Sequence, residues 1–173
     1  LAFLVLAVSW LMPRNAWVYR AAVLLVLAAT LIVAAGITMR CIIRGRPPVT
    51  TLYETIVFTA FIAAAIGLFI EFINRQRIAL FLACVLGALG LFIANKYEVR
   101  EGADTMPSMV AVLDTNFWLA THVTTITIGY GAAFLASAMA HVYVLGRIFR
   151  RRKDEGGFSR QLSRMVYGVL AFS

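Results

Sequence analysis

Residues 21–39 read AAVLLVLAATLIVAAGITM, nineteen positions without one charge. At about 1.5 Å per residue, a helix of this length matches a hydrocarbon core of roughly 30 Å. Lipid offers no hydrogen bonds, so a segment crossing it must satisfy its own backbone groups. Further apolar runs lie at 1–12, about 55–73, 78–95 and about 118–146, and another begins near Met165. The pattern predicts an all-α, polytopic transmembrane protein: about five membrane helices with short loops, the first and last of them truncated. Composition agrees: with 62% hydrophobic and 14% charged residues, 173 residues leave too little polar surface for a soluble domain.

The net charge of +8 does not mark a nucleic-acid binder. Most of it lies in short loops between apolar runs, where lysine and arginine set orientation across the lipid bilayer. The densest basic segment is RIFRRRK, 147–153, so the loop 147–164 is expected to be cytoplasmic. Alternation then puts 13–20 and 74–77 inside, and the loops 40–53 and 96–117 outside. Inside loops hold eleven of the sixteen Lys/Arg residues. Three of the other five are Arg40, Arg44 and Arg46, on the side where topology discourages them.

The chain begins with Leu and ends in MVYGVLAFS, part-way into an apolar run, as a piece of a longer protein would. Its first twelve residues lack the basic start and small-residue cleavage site of a signal peptide. Cys41 and Cys84 show no CxxC spacing and read as small apolar packing residues.

Candidate sites lie at helix mouths. Thr51-Leu52-Tyr53-Glu54 has the form of a capping box, with Glu54 in a first turn where the helix dipole favours an anion. Pro47 and Pro48 keep the approach extended. The arginines beside them have no such local explanation. His122 sits just inside the outer end of a run, where an ionisable group is a functional candidate and neutral imidazole can ligate haem iron. The bland alternative is a histidine hydrogen-bonded between helices. Trp118, one turn back, suits an interfacial anchor. Threonines 121, 124, 125 and 127 can bond back to their helix or across to another. His141, nineteen residues on, is roughly 28 Å away along a continuous helix, too far to share an iron. Glu71 precedes Arg75 by four residues, in the favourable order for an ion pair. Gly129, Gly131, Ala132, Ala133 and Ala136 form a small-residue face for close packing. The second half of loop 96–117, MVAVLDTNFW, has the makings of a short interfacial element.

Two stretches carry a family resemblance. GRPPVTTLYETIVF (45–58) resembles the GHxPxSNxYExxxF segment of the CcsA family, called ResC in some bacteria. NFWLATHVTTITIGYGAAFLAS (116–137) is similar to its xxWLxxHVxxxxxGYxxxxxxS segment. Order and spacing agree, and the resemblance covers about residues 40 to 173.

The resemblance implies a multi-pass protein of the bacterial cytoplasmic (inner) membrane, acting in System II cytochrome c biogenesis as part of a cytochrome c haem lyase complex. With a CcsB/ResB-type membrane subunit it would bring haem b to the outer face for attachment to apocytochrome c, whose thiols thioredoxin-like proteins keep reduced. His122 falls on an outer axial ligand of the haem iron, beside Trp118. Arg44 and Arg46 become candidate contacts for haem propionates or an acidic partner surface, although Arg46 replaces the histidine of the family segment. The tryptophan-rich platform and the second outer histidine are expected beyond Ser173, so the fragment alone should complete no reaction. The sequence alternatives are a transport subunit, which would need more polar residues inside its spans, and a purely structural subunit without haem.

Overall fold

The computed structural model describes residues 2–11, 16–75, 77–101, 117–149 and 158–172. These are all helical apart from short connections. The helices are α1 (Ala2–Leu11), α2 (Ala16–Arg44), α3 (Leu52–Asn74), α4 (Ile78–Glu101), α5 (Phe117–Phe149) and α6 (Phe158–Phe172). Helices α2 to α5 are each long and apolar enough to cross a membrane. The expected all-α, multi-pass architecture is therefore the one observed. Boundaries differ: α2 extends about five residues past the apolar run at each end. Its polar turns continue the helix because an unpaired backbone would cost more at the lipid boundary than a few exposed arginines.

Two ends can be told apart by the turns that make them. Helix α2 finishes with Gly45 at φ 63° and an Arg46 N–H donating to the Cys41 carbonyl at 3.3 Å. That is a Schellman ending, and the prolines that follow prevent the helix from resuming. Helix α3 starts after it, so this is the Pro47 end, where α4 also finishes and α5 begins. At the Arg75 end, α3 turns into α4 through residues 75–77. Arg75 and Arg77 both take positive φ, 50° and 66°, a conformation that non-glycine residues adopt only when their surroundings hold them there.

Helices α3 and α4 make the central antiparallel pair, joined through glycines. A Cβ added at Gly67 would lie 2.7 Å from the Ala83 Cβ and 3.1 Å from the Ala79 carbonyl. One at Gly90 would collide with the Ala60 Cβ, and Gly87 faces Ala64. With no side chain between them the two backbones come close, which is how helices gain van der Waals energy in lipid. On the other side of α3, Gly131 of α5 seats against Ile62 and the Thr59 carbonyl. Ala132, Leu135, Ala136 and Met139 continue that seam into a core with Ala63 and Ile70 of α3, closed by Leu162, Met165 and Val169 of α6. Helices α3 and α5 therefore run in the same direction, and α6 returns along them. A second cluster joins Leu6 of α1 and Ala22 and Val26 of α2 to Leu68 and Leu80.

Of the expected small-residue face on α5, Gly131, Ala132 and Ala136 are buried, while Gly129 and Ala133 sit at its half-buried margin. The expected Glu71–Arg75 pair is absent: Arg75 has left the helix as its left-handed cap and is exposed. Most of the expected interfacial element 109–118, all but Phe117 and Trp118, and most of the basic run 147–153 lie outside the described residues.

The α3–α4 contact predicts that Gly67→Ala lowers the stability of the detergent-solubilised protein by about 1–3 kcal/mol. Gly36→Ala is the control, since a Cβ there meets nothing within 4 Å. It should leave the melting temperature unchanged or slightly raised. Thermal unfolding of the two variants side by side makes the comparison.

Candidate functional site

The Pro47 end holds a pocket of about 340 Å³ between the last turns of α2 and the first turns of α3. Its polar lining includes Arg40, Arg44, Arg46, Thr50, Tyr53 and Glu54, with Cys41 beside them. Helical spacing explains the convergence: Arg40 and Arg44 are one turn apart on α2, and the Schellman turn folds Arg46 back over the same end.

Glu54 is the hub of this pocket. Thr51 is the N-cap of α3, its hydroxyl accepting the Glu54 N–H at 3.2 Å. The other half of the expected capping box takes a different form. Glu54 Oε2 accepts the backbone N–H of Thr50 at 3.1 Å and also its hydroxyl, rather than reaching the Thr51 N–H. Glu54 Oε1 meets Arg40 Nη2 at 3.3 Å, an ion pair whose side chains are only 23% and 11% exposed. The Arg40 guanidinium also lies 5.0 Å from the Tyr53 ring centroid. One carboxylate thus fixes the 50–51 turn and ties α2 to α3. Arg40, which sequence reading left among the unexplained loop charges, is the residue that joins the two helices.

Among the described residues that line it, three arginines stand against one glutamate, and low-dielectric walls strengthen the field of such groups. Guanidinium groups offer paired donors to carboxylate or phosphate. An anionic group fits this chemistry.

His122 and Trp118 do not line the pocket. His122 lies nine residues before Gly131, whose partners on α3 are Thr59 and Ile62. Helices α3 and α5 are parallel, so stepping back about 13 Å brings His122 level with the start of α3. It shares the Pro47 end with the arginines on a separate, exposed face. Neither of its ring nitrogens has a partner among the described residues, so the bland role of a histidine tied between helices is not the one seen. Trp118 is 78% exposed, its ring edge-on to Phe117 with centroids 5.7 Å apart. The nearby threonines turn inward on their own helix: the hydroxyls of Thr121, Thr124, Thr125 and Thr127 each donate to the carbonyl four residues back, at 2.7–2.8 Å. His141 is different, since its Nδ1–H donates to the Ser137 carbonyl at 2.7 Å. Helix α5 is continuous between the two histidines, which keeps them at opposite ends. Among the described residues no group of three or more His, Cys, Asp or Glu side chains gathers as a metal site.

Over 117 residues, 68% of its length, the chain is 27% identical to the cytochrome c biogenesis protein CcsA of Microcystis aeruginosa. The match covers 35% of that protein, so this chain spans about a third of its relative. No family model matches the chain, and no solved structure does.

The hub role of Glu54 gives a measurable ordering. Thr51→Ala removes one cap and should cost about 1 kcal/mol. Glu54→Ala leaves Arg40 in its half-buried position without the carboxylate and should cost about 2–3 kcal/mol. Equal losses in thermal unfolding would reduce Glu54 to a helix cap.

Proposed function

We propose that this chain is a membrane part of a CcsA-type cytochrome c biogenesis protein. It handles haem as its substrate and presents it at the Pro47 end for attachment to apocytochrome c. The observation that carries this reading is His122: an imidazole with no partner among the described residues, exposed at one end of a multi-pass bundle. It stands in a chain similar to a CcsA and shares its end with a cationic pocket. An exposed imidazole with no partner among the described residues is free to offer a ring nitrogen to a ligand.

In this reading a neutral His122 offers a ring nitrogen to haem iron as one axial ligand. Trp118 borders the haem face with an aromatic ring, and Arg44 and Arg46, with Arg40, attract its propionates. The attachment itself adds each cysteine S–H of the apocytochrome across a haem vinyl group: an S–C bond forms, and the hydrogen goes to the neighbouring carbon. Neither partner supplies net electrons. The protein's contribution is position, which holds two reacting groups together at high effective concentration. The excess of basic residues in the loops at the Arg75 end supports a Pro47 end facing out of the bacterial cytoplasmic membrane. A CcsB/ResB-type subunit, apocytochrome c and thiol-reducing thioredoxin-like proteins are the partners this role requires.

The test is the visible spectrum of the purified full-length protein. His122→Ala should lower the bound-haem absorbance and the cytochrome c yield of the host by tenfold or more, which is a loss of about 1.4 kcal/mol or greater. An Arg44→Ala/Arg46→Ala double variant should weaken haem retention while keeping the axial-ligand spectrum. Unchanged haem content and cytochrome c yield in His122→Ala would overturn the proposal.

A further inference from the structure

The Arg75 end has a cavity of its own, of about 530 Å³, in the groove between the first turns of α2 and the last turns of α3. Its wall is polar at the mouth and apolar deeper in the span. Arg20 and Arg75, both exposed, stand at the mouth, while Val23, Leu24 and Leu68 continue the groove toward the bilayer centre. Between these zones lies Glu71, only 2% exposed.

The two carboxylate oxygens of Glu71 are unequal. Oε1 accepts the Tyr19 hydroxyl at 2.6 Å and the Arg77 backbone N–H at 2.9 Å. The Arg77 guanidinium stacks 5.2 Å from the Tyr19 ring centroid, which fixes both donors. Oε2 is buried and has no hydrogen-bond partner. Buried carboxylate oxygens are generally paired with a donor, and none of the described residues supplies one to Oε2. The flanking arginines specify the rest of a molecule that would. They are suited to a phosphate, which places an N–H cation and a phosphate side by side above an apolar groove.

We infer that this cavity binds an aminophospholipid, with the ammonium of an ethanolamine headgroup on Glu71 Oε2. The phosphate lies between Arg20 and Arg75, and an acyl chain runs along Val23, Leu24 and Leu68. A choline headgroup satisfies the arginines equally but has no N–H to give, so the site discriminates between two abundant headgroups of the same net charge. The site lies at the opposite end from His122 and the arginine pocket, and its test is independent of the haem reading.

Delipidated full-length protein, titrated with phosphatidylethanolamine or phosphatidylcholine of identical acyl chains, gives the answer by native mass spectrometry. Phosphatidylethanolamine should be retained roughly tenfold better, the size expected of a charge-assisted hydrogen bond in a buried site. Glu71→Gln keeps the acceptor for Tyr19 and should abolish the preference. Arg20→Ala/Arg75→Ala changes only exposed side chains and should weaken both lipids together, which keeps the proposal testable if Glu71→Gln does not fold. Equal retention of the two lipids by the parent protein would overturn the inference. So would phosphatidylglycerol binding as tightly as phosphatidylethanolamine, or undiminished lipid binding in the double-arginine variant.

Discussion

The close approach of α3 and α4 is the contact on which the other arrangements rest. In lipid there is no hydrophobic gain from bringing two apolar helices together, so their association depends on backbone-to-backbone packing. Gly67, Gly87 and Gly90 supply it by removing side chains where Ala83, Ala64 and Ala60 project. With α3 held on one side by α4, its other side receives Gly131 and the alanine seam of α5. Helix α3 thereby becomes the central strut of the bundle, and whatever sits at its two ends is positioned by the rest.

Both ends carry a carboxylate in a largely buried place. Glu54 in the first turn joins α3 to Arg40 of α2 and holds the 50–51 turn. Glu71 in the last turn joins α3 to Tyr19 of α2 and to the backbone leading into α4. A carboxylate is expensive to bury, and each cost is offset by several charge-assisted hydrogen bonds. The two ends differ in what surrounds each carboxylate. Near Glu54 two further arginines, Arg44 and Arg46, line the same pocket. At Glu71 one carboxylate oxygen has no donor among the described residues. The first is suited to an anionic group, the second to a group that carries its own N–H.

Much of this was legible before the structure, and for physical reasons. Twenty-residue apolar runs determine helices in lipid almost independently of context, so the spans 21–39 and 78–95 were secure. The Thr51 cap is a local interaction and was read correctly; Glu54's partner on α2 was not, because Arg40 is fourteen residues away and only the tertiary fold brings it close. The glycines of α4 escaped notice since small residues inside an apolar run do not reveal which helix they face. Local order also misled at Glu71. The i,i+4 rule holds only while the helix continues, and Arg75 is the residue at which it stops. Nothing in the sequence indicated that Tyr19 would reach Glu71 across fifty-two residues. His122 stands out because an ionisable side chain in an apolar run is rare, and its ring nitrogens have no partner among the described residues.

The reading of His122 as a haem ligand is tested most directly by chemical complementation. In the full-length protein, His122→Gly opens a space the size of the lost imidazole on the exposed face of α5. Added free imidazole should restore the bound-haem spectrum that the substitution removes, with a dependence on imidazole concentration that saturates. If the His122→Gly protein keeps the parental haem spectrum without imidazole, the histidine is not the ligand and the account of the Pro47 end is wrong.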